Sequence, residues 1–161
     1  MEIRLSGITN DSIVDGMGIR LTVFTQGCTH HCKNCHNPQT HDPNGGYLKD
    51  TDTIVEMLAE NPLLDGVTLS GGEPFLQVDA CTELAKQAHG LGLNVWAYTG
   101  FVWEDLLGTE KETLLKEVDV LVDGLFVESL KSLDLLFCGS SNQRLIDVKE
   151  SFAKSTVVLW K

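Results

Sequence analysis

The chain has 161 residues, 12 Lys plus Arg against 23 Asp plus Glu, and a formal net charge of −11. This length suits one domain with one core, and the 42% apolar and 22% charged composition excludes a disordered tail. The acidic balance argues against nucleic acid as a partner, because phosphate binding draws on Lys and Arg. No apolar run approaches the ~20 residues of a membrane helix. The first residues show no secretory pattern, so the expected address is the cytoplasm.

In chain order, residues 21–25 (Leu-Thr-Val-Phe-Thr) read as a strand ending at Gly27. A helix is expected over 53–60, with Ile54, Val55, Leu58 and Ala59 on one face and Thr53 with Glu56 as a capping box. Asn61-Pro62 stops it. Residues 67–69 form the next strand, breaking at Gly71-Gly72. Cys81, Leu84, Ala85 and Ala88 recur at helical spacing up to Gly90, which makes Cys81 a core residue. Residues 94–98 are a strand turning at Gly100, Thr109 with Glu112 is a second capping box, residues 120–122 are a strand, and residues 156–160 are a candidate last strand. The longest irregular stretches are 36–50 and 128–142. Strands alternating with helices predict a single α/β domain over 1–161 with mainly parallel strands. A complete eightfold barrel takes about 250 residues, so only a partial, open β/α barrel fits.

Three of the five cysteines sit together as Cys28-x3-Cys32-x2-Cys35, directly after the first predicted strand. Carboxyl ends of parallel strands are where active sites collect, and soft thiolates suit iron–sulfur centres or zinc. Four irons held by three cysteines leave one iron open to a substrate. Two other readings of the same residues are a zinc site closed by His30, His31, His36 or His41, and a redox dithiol of Cys32 and Cys35. Ser70-Gly71-Gly72-Glu73-Pro74 leaves a strand, with two glycines that admit close backbone approach and a carboxylate that accepts from an ammonium group. Thr99 closes a later strand and is a candidate ribose or carboxylate contact. Asp15 to Arg20 reads by composition as a Gly-rich turn with a surface arginine, and Gly139 to Gln143 as a polar loop.

The cysteine spacing resembles the signature of the radical S-adenosylmethionine superfamily, with Asn34 where that superfamily favours an aromatic. The resemblance implies a [4Fe–4S] cluster on Cys28, Cys32 and Cys35, and S-adenosyl-L-methionine bound beside it. Gly71, Gly72 and Glu73 resemble the GGE motif that holds the methionine amino group, and Asn34, Cys35, His36 and Thr99 are further cofactor-binding candidates. Val14 to Arg20 is similar to the VDGPGIR segment of enzymes that activate glycyl-radical proteins, with Met17 in place of proline, and Cys35-His36-Asn37-Pro38 is similar to their CHNP tail. Val122-Asp123-Gly124 and Gly139 to Arg144 resemble segments of the activators of anaerobic ribonucleotide reductases, with Cys138 where Arg is common.

The resemblance therefore implies an oxidoreductase. One electron splits S-adenosylmethionine, and the resulting 5′-deoxyadenosyl radical takes a hydrogen atom from a glycine of an anaerobic ribonucleoside-triphosphate reductase. It also implies an electron donor of flavodoxin or ferredoxin type and needs no side-chain acid or base. Activation of another glycyl-radical enzyme, such as pyruvate formate-lyase, and a non-enzymatic zinc adaptor are the alternatives.

Overall fold

The computed structural model describes residues 1–33, 35 and 38–161. Its centre is a seven-stranded sheet in the order β3-β1-β2-β4-β5-β6-β7, open at both edges. β2 (Arg20–Thr25), β4 (Gly66–Gly71), β5 (Asn94–Tyr98) and β6 (Val120–Asp123) run parallel, with Leu21 beside Val67, Val67 beside Val95 and Ala97 beside Leu121. β1 (Glu2–Ser12), β3 (Tyr47–Asp50) and β7 (Arg144–Asp147) join antiparallel at the flanks.

Side chains alternate along each central strand and give the sheet two different faces. Leu21, Val23, Val67, Leu69, Val95, Ala97 and Leu121 point into the main core. That core is covered by α1 (Thr51–Glu60), α2 (Val78–Gly90) and α4 (Glu112–Leu115), with α1 packed on α2 and α2 on α4. Cys81 lies fully buried there, as its helical spacing predicts. On the opposite face, Trp96, Val120 and Val122 form a small second core with Tyr98 and Trp160. Beside it stand the buried polar residues Arg20, Thr22, Thr68 and Ser70.

Several boundaries differ from the sequence reading. Asp50 caps α1, accepting from the Asp52 amide at 2.9 Å, so the helix starts ahead of the expected Thr53 box. Thr109 accepts from the Lys111 amide and Glu112 from the Gly108 amide, so the second box spans the turn before α4. A short helix α3 (Trp103–Leu106) follows β5. Residues 156–160 form no strand, and only Leu159 bridges to Ile146. The last strand is β7, followed by α5 (Val148–Lys154), which Asp147 caps at the Glu150 amide.

Arg20 is buried instead of lying at the surface. Its Nε donates to Thr68 Oγ1 at 2.7 Å, and its terminal nitrogens donate to the Met17 and Val67 carbonyls. Its guanidinium lies 5.5 Å from the Trp96 ring. Burial pushes it down to about 10. Gly16 admits this arrangement, because a Cβ there would sit 2.9 Å from both Arg20 and Trp96.

Arg144 ties β7 to β6. Its Nε donates to Asp123 Oδ1 at 3.0 Å, and a terminal nitrogen reaches both Asp123 and Glu104. Asp123 is 1% exposed, so removing its cation leaves a buried carboxylate short of donors. Arg144→Met should lower stability by about 2 kcal/mol, the buried-pair cost reduced because Arg144 itself is partly exposed. In urea unfolding the midpoint should fall with the slope unchanged. An unchanged midpoint would show that the pair contributes nothing.

Candidate iron–sulfur site

The carboxyl ends of β2, β4 and β5 open onto one cleft of about 470 Å3, within the roughly 300–1,000 Å3 range of ligand pockets. Cys28, Cys32, Cys35, Gly71, Gly72 and Thr99 all line it. Asn34 and His36, the other two sequence candidates, lie outside the described residues.

The cysteine loop is rooted by backbone hydrogen bonds. Gly27 leaves β2 at φ +104°, a conformation that glycine adopts without strain. Its amide donates to the Thr40 carbonyl at 2.6 Å, and the Cys28 amide donates to the His41 carbonyl at 3.2 Å. Gln26 holds the return of the loop, its side-chain amide donating to the Gln39 and Asp42 carbonyls. Burial raises the pKa of Cys28 and of Cys32, so iron binding at these positions would displace protons.

The glycine turn is fitted to the chain's own backbone. Gly71 has φ +97°, and a Cβ on Gly72 would come within 2.4 Å of the Gly27 carbonyl oxygen. The Gly72 amide donates to the Thr25 carbonyl and the Glu73 amide to the Gly27 carbonyl, both at 2.8 Å. The two glycines therefore let β4 dock against the root of the cysteine loop, while their backbone still faces the cleft.

Glu73 follows the two glycines in the same turn. Its side chain is fully buried behind the cleft wall. Oε1 lies 2.7 Å from His30 Nε2, 2.8 Å from Thr99 Oγ1 and 2.7 Å from the Gly100 amide. Oε2 accepts from the Phe75 amide at 3.1 Å and from Thr99 Oγ1 at 2.9 Å. The carboxylate that the sequence offers to an ammonium group is thus occupied by donors of the chain. The Thr99 hydroxyl is engaged too, since it also accepts from the Phe101 amide at 3.1 Å.

The far wall comes from the segment that reads as a polar loop. Gln143 Oε1 accepts from the Gly139 amide at 2.8 Å, while its Nε2 donates to the Gly124 carbonyl at 3.0 Å. Ser140 Oγ accepts from the Val127 amide, and Asn142 donates to the Leu125 carbonyl. Gly124, Phe126, Gly139 and Gln143 are brought to the cleft this way. The pairing of Gly124 with Gln143 joins two motifs that are separate in sequence. Cys138 makes a long contact to the Gln143 carbonyl, 4.0 Å, and packs against the Trp96, Val120 and Val122 cluster.

The residues fit an iron–sulfur cluster. Three soft thiols, Cys28, Cys32 and Cys35, line one cleft at the strand ends, the donor type that iron–sulfur clusters take. His41 lines the same cleft, and its Nε2 is buried with no hydrogen-bond partner among the described residues. In its Nε2–H tautomer this ring is a donor for a sulfur acceptor, a known lever on cluster properties.

Three thiols on a strand-end loop, facing a glycine turn across one cleft, define the class as a 4Fe–4S single-cluster domain, and the family model of that description matches residues 14–146. An activating protein of anaerobic ribonucleoside-triphosphate reductase from Salmonella typhi is 35% identical over 139 residues, covering 81% of this chain and 90% of that protein. Those of Haemophilus influenzae and of Enterobacteria phage T4 are each 32% identical, over 81% and 82% of this chain and 89% and 86% of their own lengths. The chain belongs to the family of anaerobic ribonucleoside-triphosphate reductase-activating proteins.

In native, cluster-free protein, iodoacetamide should label Cys28 and Cys32 at a rate that climbs as pH rises toward and above 9, because burial holds both thiols in the protonated form. Cys81, fully buried with its thiol pushed up to about 12, should label only after unfolding. Mass spectrometry of the labelled peptides reads both, and native labelling of Cys81 would contradict its burial.

Gly72→Ala should cost the protein its reconstituted iron as well as its cofactor affinity, since the added Cβ strikes the root of the cysteine loop. Gly90→Ala is the control, with nothing within 4 Å of its Cβ. Full iron content in Gly72→Ala would confine Gly72 to the ligand.

Proposed function

We propose that this chain is the activating enzyme of an anaerobic ribonucleoside-triphosphate reductase, holding a [4Fe–4S] cluster on Cys28, Cys32 and Cys35 and binding S-adenosyl-L-methionine beside it. The observation that carries the reading is the shared cleft, in which the three thiols face Gly71, Gly72 and Thr99 in a chain of this family. When bound, the cluster supplies one electron for cleavage of S-adenosylmethionine, whose adenosyl fragment takes a hydrogen atom from a glycine of the partner.

The chain's own part is to bind, orient and exclude water. The backbone at Gly71 and Gly72 offers polar groups to the methionine end of the cofactor, and Tyr98 and Phe126 add aromatic surface to the walls. No side-chain acid or base is assigned, because hydrogen-atom transfer requires none. Asn34 and His36 remain cofactor-binding candidates on the strength of the motif.

The sheet is open at both edges, in keeping with a single domain over 1–161 that forms a partial barrel of the radical S-adenosylmethionine type. A partial barrel leaves a side of the cleft for a protein substrate to close. Among the described residues no helix is long and apolar enough to cross a membrane. The reading includes a cytoplasmic site of action and a flavodoxin- or ferredoxin-type donor.

With S-adenosylmethionine, a one-electron reductant and the reductase, electron paramagnetic resonance should show a glycyl doublet on the reductase. The doublet should be absent when any of Cys28, Cys32 or Cys35 is alanine. A doublet on pyruvate formate-lyase and none on the reductase would reassign the partner, and stoichiometric zinc without iron or sulfide would remove the cluster.

A further inference from the structure

His30 stands midway between Cys28 and Cys32, and the family resemblance gives it no role. Its side chain is 13% exposed, and Nε2 lies 2.7 Å from a Glu73 carboxylate that has no exposure at all. The ring packs edge-on to Phe101 with centroids 4.6 Å apart. Gly100 is shaped around it, for a Cβ at that position would come within 2.6 Å of the imidazole. The same carboxylate holds the Thr99 hydroxyl and the Gly100 amide. One anion therefore joins the loops after β2, β4 and β5.

An ionised carboxylate has about four lone-pair sites, and here four donors from the chain make five contacts with its two oxygens. A cofactor ammonium would have to displace one of them from a fully buried position. We propose that Glu73 and His30 are a positioning pair: the carboxylate makes no contact with the cofactor, and instead fixes the cysteine loop, through His30, against the Thr99–Gly100 turn. This rests on the reading of the cleft as the cluster and S-adenosylmethionine site. His30 is two residues from each of two thiols, so a shift of its ring displaces both.

The test is a double-mutant cycle of His30→Phe, Glu73→Gln and the double variant, with His30→Gln as the conservative replacement that keeps an N–H near the Nε2 position. In cluster-loaded protein the readout is the dissociation constant of S-adenosylmethionine, alongside iron and sulfide content. In cluster-free protein it is amide hydrogen exchange over residues 28–33. His30→Phe and Glu73→Gln should each weaken S-adenosylmethionine binding roughly ten- to hundredfold, as for loss of one charged hydrogen bond.

The double variant should be no weaker than the weaker single, since His30 acts only through the carboxylate that Glu73→Gln already alters. Exchange in the loop should quicken in both singles, and His30→Gln should restore most of the affinity and the protection. Weakening by Glu73→Gln with His30→Phe unaffected, or additive losses, would put the carboxylate on the cofactor and overturn the proposal. If no variant or parent binds S-adenosylmethionine, the cofactor reading fails, and the exchange data still decide the pair: unchanged protection in His30→Phe overturns it.

Discussion

A carboxylate with no exposed surface must be met by donors from the chain itself, and at Glu73 that requirement organises the whole functional end of the sheet. Parallel strands deliver their carboxyl ends to one side but leave the connecting loops independent of one another. Glu73 removes that independence, because its donors come from the cysteine loop, from its own turn and from the end of β5. The glycines around it follow from the same constraint. Gly72 brings the turn onto Gly27, and Gly100 makes room for His30.

The opposite end of the sheet is closed by a cation. Arg20 donates to a hydroxyl and to backbone carbonyls and lies against Trp96, with no direct carboxylate partner among the described residues. Asp15, five residues before it, accepts from the Ser12 and Thr22 hydroxyls, and its carbonyl accepts from Thr68. The segment Val14 to Arg20 is therefore folded beneath the polar face of the sheet, and it carries Val14 and Asp15 to the cleft. Its glycines answer local crowding: a Cβ on Gly18 would collide with the Asp65 carboxylate.

The parallel centre was legible because buried strands between helices leave short apolar runs bounded by glycine, and residues 94–98 emerged with the bounds they were expected to have. β1 and β3 were not legible. β1 alternates only through Ile3 and Leu5 before turning polar, and β3 is largely exposed, so neither shows the apolar pattern of a core strand. Residues 156–160 carry a strand-like composition, yet β7 already occupies the place beside β6, and the segment packs Trp160 against Trp96 instead. The site was legible where chemistry is concentrated in residue type, as in the three cysteines. The role of His30 and the burial of Arg20 were hidden, because each depends on partners 43 to 48 positions away.

The two faces of the sheet explain why a small chain can hold both a core and a cleft. One face is given to aliphatic packing under α1, α2 and α4, where burial supplies the stability. The other would ordinarily need a second layer of helices. Here a short apolar patch around Trp96 covers the β5–β6 end, and the loop after β6, closed on itself by amide-to-carbonyl hydrogen bonds from Asn142 to Leu125 and from Gln143 to Gly124, lies over it through Phe137 packed on Trp96. What remains of that face is lined by Phe24, Ser70 and Tyr98 and is the floor of the cleft. The polar residues at alternate positions of β2 and β4 are therefore no defect of the strand pattern. They mark the side on which the sheet keeps room for a ligand, and the loop wall beside it ends where the sheet opens.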